Sequence, residues 1–280
     1  MASGEDLGAA DRWRADLEAW AIPEHILAAA PESPWGFPVE CFRHRPKDDL
    51  GPTPTAERAL EALPAGGSVL DVGVGGGATS LPLARRAGTI VGVDAQEDML
   101  AGFEAAAREA GVEASSVHGA WPDVGDRVGP ADVVVCGHVF YNVADLVPFA
   151  AALTDHARHR VISELTDRHP LDWMRDLWLR FHGIERPTGP TAEDAAAVLR
   201  GLGLAVRRDE RRIAGPQGGP YDRRADAIHQ VRKRLCLPGD RDDEIAEALG
   251  PRLVSVDGLW RVGPLERTMV TLWWDVARSS

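Results

Sequence analysis

The chain predicts an α/β fold built on a doubly wound sheet, and three observations predict it. Between residues 68 and 165, short apolar runs alternate with amphipathic helical stretches. An alternation of that kind sets the strands parallel and puts helices on both faces. The run 131–136 is almost wholly apolar, as a central strand covered on both sides must be. The run 68–72 empties into a cluster of glycines, a turn whose backbone can come close to a ligand.

Each element follows from local pattern. Residues 11–21 place Trp13, Leu17 and Trp20 on one helical stripe. A passage with Pro31, Pro34, Pro38, Trp35 and Phe37 follows, then a helix over 55–63. After the strand 68–72, helix signals continue to Ala87 with Gly88 as the cap. Residues 89–94 form the second strand. Residues 96–110 form a helix with Met99, Phe103, Ala106 and Ala110 on one face and Gly111 as terminator. Residues 113–118 and 131–136 are strands, 145–158 a helix with Leu146, Phe149, Ala150 and Leu153 inward, and 160–165 a fifth strand. Beyond it, Pro170 opens a helix carrying Leu171, Met174, Trp178 and Phe181, and Gly183 closes it. Thr191 to Asp194 reads as a capping box for a helix to 202. A strand over 204–213, a glycine-rich loop over 215–220, helices over 225–235 and 242–249 and a final strand over 267–275 complete the chain. Three regions result: a helical lid or substrate region (1–67), a ligand-binding core (68–166), and a helical insert with C-terminal strands (167–280).

Composition narrows the function. No apolar run reaches the ~18 residues of a membrane span, and residues 1–17 lack a signal-peptide pattern, so the cytoplasm is expected. Three well-separated cysteines without a CxxC pair indicate neither a disulfide framework nor a zinc site. A net charge of −12 disfavours a nucleic-acid partner. Arginines between 207 and 234 are interrupted by Asp209, Glu210, Asp222 and Asp226 and read as a solvated face.

The chemistry concentrates in Val69-Leu-Asp71-Val-Gly73-Val-Gly75-Gly-Gly77 and in Asp94, which ends the second strand. An acid at that position can accept both ribose hydroxyls of an adenosine. Gly73, Gly75 and Ala78 also satisfy the dinucleotide fingerprint. Against a dinucleotide stands Asp71, because a carboxylate meets an ammonium there but would be repelled by a pyrophosphate. The long segment before the first strand and the terminal strand reached through an excursion point the same way.

Residues 68–165 resemble the core of the class I S-adenosylmethionine-dependent methyltransferases, with the terminal strand 269–275 a looser match. The resemblance implies a Rossmann-like, seven-stranded, mostly parallel sheet with its last strand antiparallel. It implies S-adenosylmethionine as cofactor, with Asp71, Gly73, Gly75 and Gly77 at the methionyl part. Asp94 would hold the ribose, with Ala95 and Gln96 beside the adenine. After the third strand, His118-Gly119-Ala120-Trp121-Pro122-Asp123 lacks the family's usual acid directly after the glycine. Ala120 then borders the adenine, and Trp121 stacks on it, Asp123 contacts its amino group, or Trp121 only plugs the surface. After the fourth strand, His138 is either a general base for a hydroxyl acceptor or a neutral hydrogen-bonding residue beside the cofactor. Glu164, Asp167 and His169 read as structural, and Cys136 as core. The expected function is methyl transfer to a small molecule, with no nucleic acid or membrane partner. The rivals are a non-catalytic S-adenosylmethionine-binding protein and a nicotinamide-dependent oxidoreductase.

Overall fold

The alternating runs close into one twisted sheet. The computed structural model describes residues 8–35 and 53–276. Its strands are β1 (Gly67–Val72), β2 (Ala87–Asp94), β3 (Glu113–His118), β4 (Ala131–Gly137), β5 (Ala157–Thr166), β6 (Arg207–Ala214) and β10 (Glu266–Asp275), and they pair in the order β3-β2-β1-β4-β5-β10-β6. The first five run parallel, while β10 runs antiparallel to both neighbours. The architecture is the expected seven-stranded one. Strand order reverses between β1 and β4, so a crevice opens at their carboxyl ends, where open α/β sheets bind ligands.

Alternation along the strands sorts two cores. Leu70, Val72, Val134, Cys136, Val161 and Leu165 face helices α1 (Ala9–Glu18), α5 (Leu146–Asp155) and α7 (Ala192–Gly201). Val69, Val133, Val135, Ile162 and Trp273 face α3 (Pro54–Ala62) and α4 (Glu97–Ala110). Apart from this sheet, β7 (Gly218–Tyr221), β8 (Leu253–Val256) and β9 (Leu259–Val262) form a small antiparallel sheet. Its core is shared with α2 (Glu24–Ala29), α6 (Arg175–His182), α8 (Arg224–Arg234) and α9 (Asp242–Leu249).

Several expectations are corrected. No helix follows the glycine cluster: the crossover to β2 holds one 3-10 turn, Leu81–Leu83. Pro82 supplies no N–H there, and β2 already begins at Ala87. Gly88 therefore lies in a strand, where a Cβ would stand 2.5 Å from the Gly66 carbonyl. The stretch expected to be a glycine loop contains β7, and β8 and β9 form a hairpin that was not among the expected elements. The capping box at Thr191 and Asp194 is present as expected, and Gly183 caps α6 in the left-handed conformation.

Helix α1 is built into the main core. Trp13 has no exposed surface, stacks on Tyr141 at 5.6 Å and donates its Nε1–H to the Val143 carbonyl at 2.8 Å. Farther along, Trp20 stacks on His169 at 4.0 Å. The segment is a fixed wall at the carboxyl ends of β4 and β5. The remainder of the aromatic passage, beyond Trp35, lies outside the described residues.

Candidate functional site

The glycine turn after β1 is pinned to the end of β2. Gly73 and Val74 donate their N–H groups to the Val93 carbonyl at 2.8 and 3.0 Å. Gly73 has φ +72°, and a Cβ on it would stand 2.3 Å from Val139. Gly75, at φ +50°, donates its N–H to Asp94 Oδ2 at 2.9 Å, while the Gln96 N–H donates to Oδ1 at 3.0 Å. The carboxylate of Asp94 is thereby oriented with one amide on each oxygen. A carboxylate accepts about four hydrogen bonds, so capacity remains for a vicinal diol. On that test the residues present fit an adenosine ribose.

Sequence reasoning named further residues around this clamp. Ala95, Gln96 and Ala120 are exposed beside it, and the Ala95 carbonyl lies 3.1 Å from His118 Nε2. Gly77, with φ +83°, packs against Leu81. Two residues sit elsewhere than expected. Asp71 has no exposed surface and lies on the face covered by α3 and α4, below the turn. Ser80 is its polar neighbour, but the contact falls outside hydrogen-bond geometry, and neither carboxylate oxygen has a partner. Burial raises its acid to about 7, against the opposing pull of Ser80. It does not present a carboxylate to an ammonium in the crevice. Trp121 makes a T-shaped contact with His156, ring centroids 4.8 Å apart, and packs on the main core, with its Nε1 buried and unpartnered. This inward packing is the arrangement that the surface-plug reading describes. Asp123 is exposed.

A second constellation stands where β4 and β5 end. His138 adopts the left-handed conformation at φ +61°, which a non-glycine residue holds only under local constraint. Its N–H donates to the Glu164 carbonyl at 2.7 Å, and its Nε2 lies 3.4 Å from Glu164 Oε1. Glu164 Oε2 accepts the Thr55 hydroxyl at 2.5 Å, and Thr55 and Thr271 share a further bond of 2.8 Å. Burial alone would raise the Glu164 acid, but His138, Thr55 and Arg211 together hold it below its usual value. The carboxylate is ionised at neutral pH. A cavity of about 190 Å³ opens on the pair, walled also by Thr53, Arg211, Arg267 and Met269.

The sequence reads Glu164 as structural and Arg211 as part of a solvated face, and it singles out neither Thr55 nor Arg267. The available signal was an acid inside an apolar strand, Val161-Ile162-Ser163-Glu164-Leu165, near its carboxyl end. Asp167 and His169 are structural. Asp167 pairs with Arg208 at 2.8 Å, and burial pushes the stacked His169 down to about 4. Cys136 is a fully buried core thiol. Among the described residues no group of His, Cys, Asp and Glu is arranged to hold a metal, and no helix is long and apolar enough to cross a membrane.

Comparison with known proteins follows the same geography. Residues 69–160 match the model of a family described as a methyltransferase domain. The ubiquinone biosynthesis O-methyltransferase of Agrobacterium fabrum (strain C58) is 42% identical over 74 residues, covering 26% of this chain and 28% of that protein. The match thus spans less than a third of the curated relative. The solved structure of the YcgJ protein from Bacillus subtilis aligns over 81% of this chain and 98% of its own, with a TM-score of 0.51 and 19% identity. That likeness is one of fold.

Proposed function

We propose that the chain transfers the methyl group of S-adenosylmethionine to a small-molecule acceptor, a reading supported by the match of residues 69–160 to a methyltransferase-domain model and by the strand order of the seven-stranded sheet. The observation that carries the reading is the clamp on Asp94, a carboxylate already aligned by Gly75 and Gln96 with acceptor capacity left for two ribose hydroxyls. Gly73 and Gly75 give the methionyl part its close backbone approach, and Ala95, Gln96 and Ala120 border the adenine. The acceptor occupies the cavity beside His138 and Glu164, walled by Thr53 and Pro54 ahead of β1 and by Arg211, Arg267 and Met269 beyond β5. The free thiols of Cys136 and Cys236 suit a cytoplasmic setting.

S-adenosylmethionine supplies an electrophilic methyl on a sulfonium, so alignment of the acceptor accounts for most of the rate. The ionised Glu164 stands 3.4 Å from Nε2 of His138 and would favour the tautomer that carries its proton there, with Nδ1 as the acceptor. With the cofactor bound, His138 would take the proton of an acceptor hydroxyl while the methyl passed from the sulfonium sulfur to the acceptor oxygen. An oxygen acceptor suits a site where a base stands oriented by a buried acid, and the matched relative bears the name of an O-methyltransferase.

Calorimetry tests the premise. S-adenosylhomocysteine should bind in the micromolar range and NAD far more weakly, and equal affinities would sink the proposal. Binding of S-adenosylmethionine without methyl transfer to any acceptor would leave a ligand-binding protein instead.

A further inference from the structure

Arg267 stands where two cavities meet. One is the cavity of His138 and Glu164. The other, of about 180 Å³, opens beside Thr166, His169 and Trp173. The guanidinium is largely withdrawn from water, and its Nε is buried without a partner. Among the described residues no carboxylate pairs with it. Glu164 is engaged by His138 and Thr55, Asp167 by Arg208, and Asp172 lies by Arg175 at 3.9 Å. Burial is the one influence on its pKa, and it lowers it, disfavouring the charged form. Across the strand pair, Arg211 sits opposite Met269 and adds positive charge to the same wall. A desolvated guanidinium without an anion is unfavourable, and its planar fork matches a carboxylate with two parallel hydrogen bonds.

Resting on the methyltransferase reading, we propose that the methyl acceptor carries a carboxylate and that Arg267 binds it, holding the acceptor's nucleophile toward His138. The cavity is smaller than the roughly 300 Å³ at which pockets begin to enclose drug-sized ligands, which confines the acceptor to a small organic acid.

Matched pairs of acid and amide test this on the full chain saturated with S-adenosylhomocysteine: benzoate with benzamide, salicylate with salicylamide, glycolate with glycolamide. Competition by ligand-observed NMR should show at least one acid binding about tenfold or more above its amide. Arg267→Gln should abolish the preference and Arg267→Lys should keep part of it. No preference in any pair, or a preference that survives Arg267→Gln, overturns the proposal. A second readout needs no ligand. Arg267→Met removes a charge that has no internal partner, so the melting temperature should hold or rise. A fall of several degrees would mean that the protein itself supplies the anion, and the proposal would fail. Titrating S-adenosylhomocysteine into the same variants separates the two readings. Acid preference without cofactor binding leaves the anion site standing and removes the methyltransferase, whereas cofactor binding without acid preference does the reverse.

Discussion

Asp94→Ala removes four hydrogen bonds of two kinds. Two are internal, from the Gly75 and Gln96 amides at 2.9 and 3.0 Å. Both amides lie at the rim of the crevice, where water replaces the lost acceptor, so the stability cost should be about 1 kcal/mol. The other two are those proposed to the ribose. Bonds to a charged acceptor contribute roughly 1.5–3 kcal/mol each, and water recovers part of that in the variant, leaving about 2–4 kcal/mol. At about 1.4 kcal/mol per factor of ten, the affinity for S-adenosylhomocysteine should fall by about thirtyfold to several hundredfold. Isothermal titration calorimetry reads the affinity and thermal unfolding reads the stability, on the same preparation. Asp94→Asn keeps one acceptor oxygen and loses the charge, and should fall between. An affinity within threefold of wild type for Asp94→Ala would refute the reasoning, because the carboxylate would then only tie down the turn.

Three more outcomes are expected. His138→Ala should lower kcat by about 10²-fold or more while S-adenosylhomocysteine affinity stays within threefold, and Glu164→Gln should fall between; an unchanged kcat for His138→Ala would mean that alignment alone drives transfer. Asp71, raised by burial from 3.8 to about 7, stays protonated in the folded chain after the unfolded chain has ionised, so its burden on stability grows between pH 4 and 7 and then levels. Asp71→Asn should therefore gain on wild type by up to about 3 kcal/mol between pH 5 and 8 in urea titrations, and a difference that does not change with pH would contradict the assigned protonation. Trp13→Ala should cost about 3–5 kcal/mol of stability; an unmoved denaturation midpoint would return α1 to the role of a detachable lid.

What was legible in the sequence was what local periodicity encodes. The strands from β1 to β5, the capping box at Thr191 and the left-handed Gly183 follow from residues close together in the chain. The β8–β9 hairpin had a local signal that went unread: Asp257-Gly258, both with positive φ, is a favoured two-residue turn. The helix expected after the glycines rested on apolar spacing, and Pro82 decided otherwise. Of the site, the Asp94 clamp was legible because the turn and the acid lie on consecutive strands. The cavity was not. Pro54, His138, Glu164, Arg267 and Thr271 come from α3, the loop after β4, β5 and β10, and they meet because β10 lies beside β5. Asp71 and Trp121 share one cause of displacement: a side chain's direction out of a strand end is set by what packs beneath it, which spacing does not record.

The position of β10 also has a consequence in time. It lies between β5 and β6, yet it follows both in the chain, with α8, α9 and the small sheet synthesised in between. On the ribosome, β5 must therefore wait with an open hydrogen-bonding edge, and β6 has no place in the sheet until its successor emerges. Trp274 arrives in that same strand and closes the core beside Thr154, 3.1 Å from its Nε1. Completion of the fold is thus postponed until translation has passed residue 275, and a nascent chain stalled earlier displays two unsatisfied borders at once. Such a chain is a natural client for chaperones, and its lifetime in that state, more than its final stability, should govern how much of it is recovered intact.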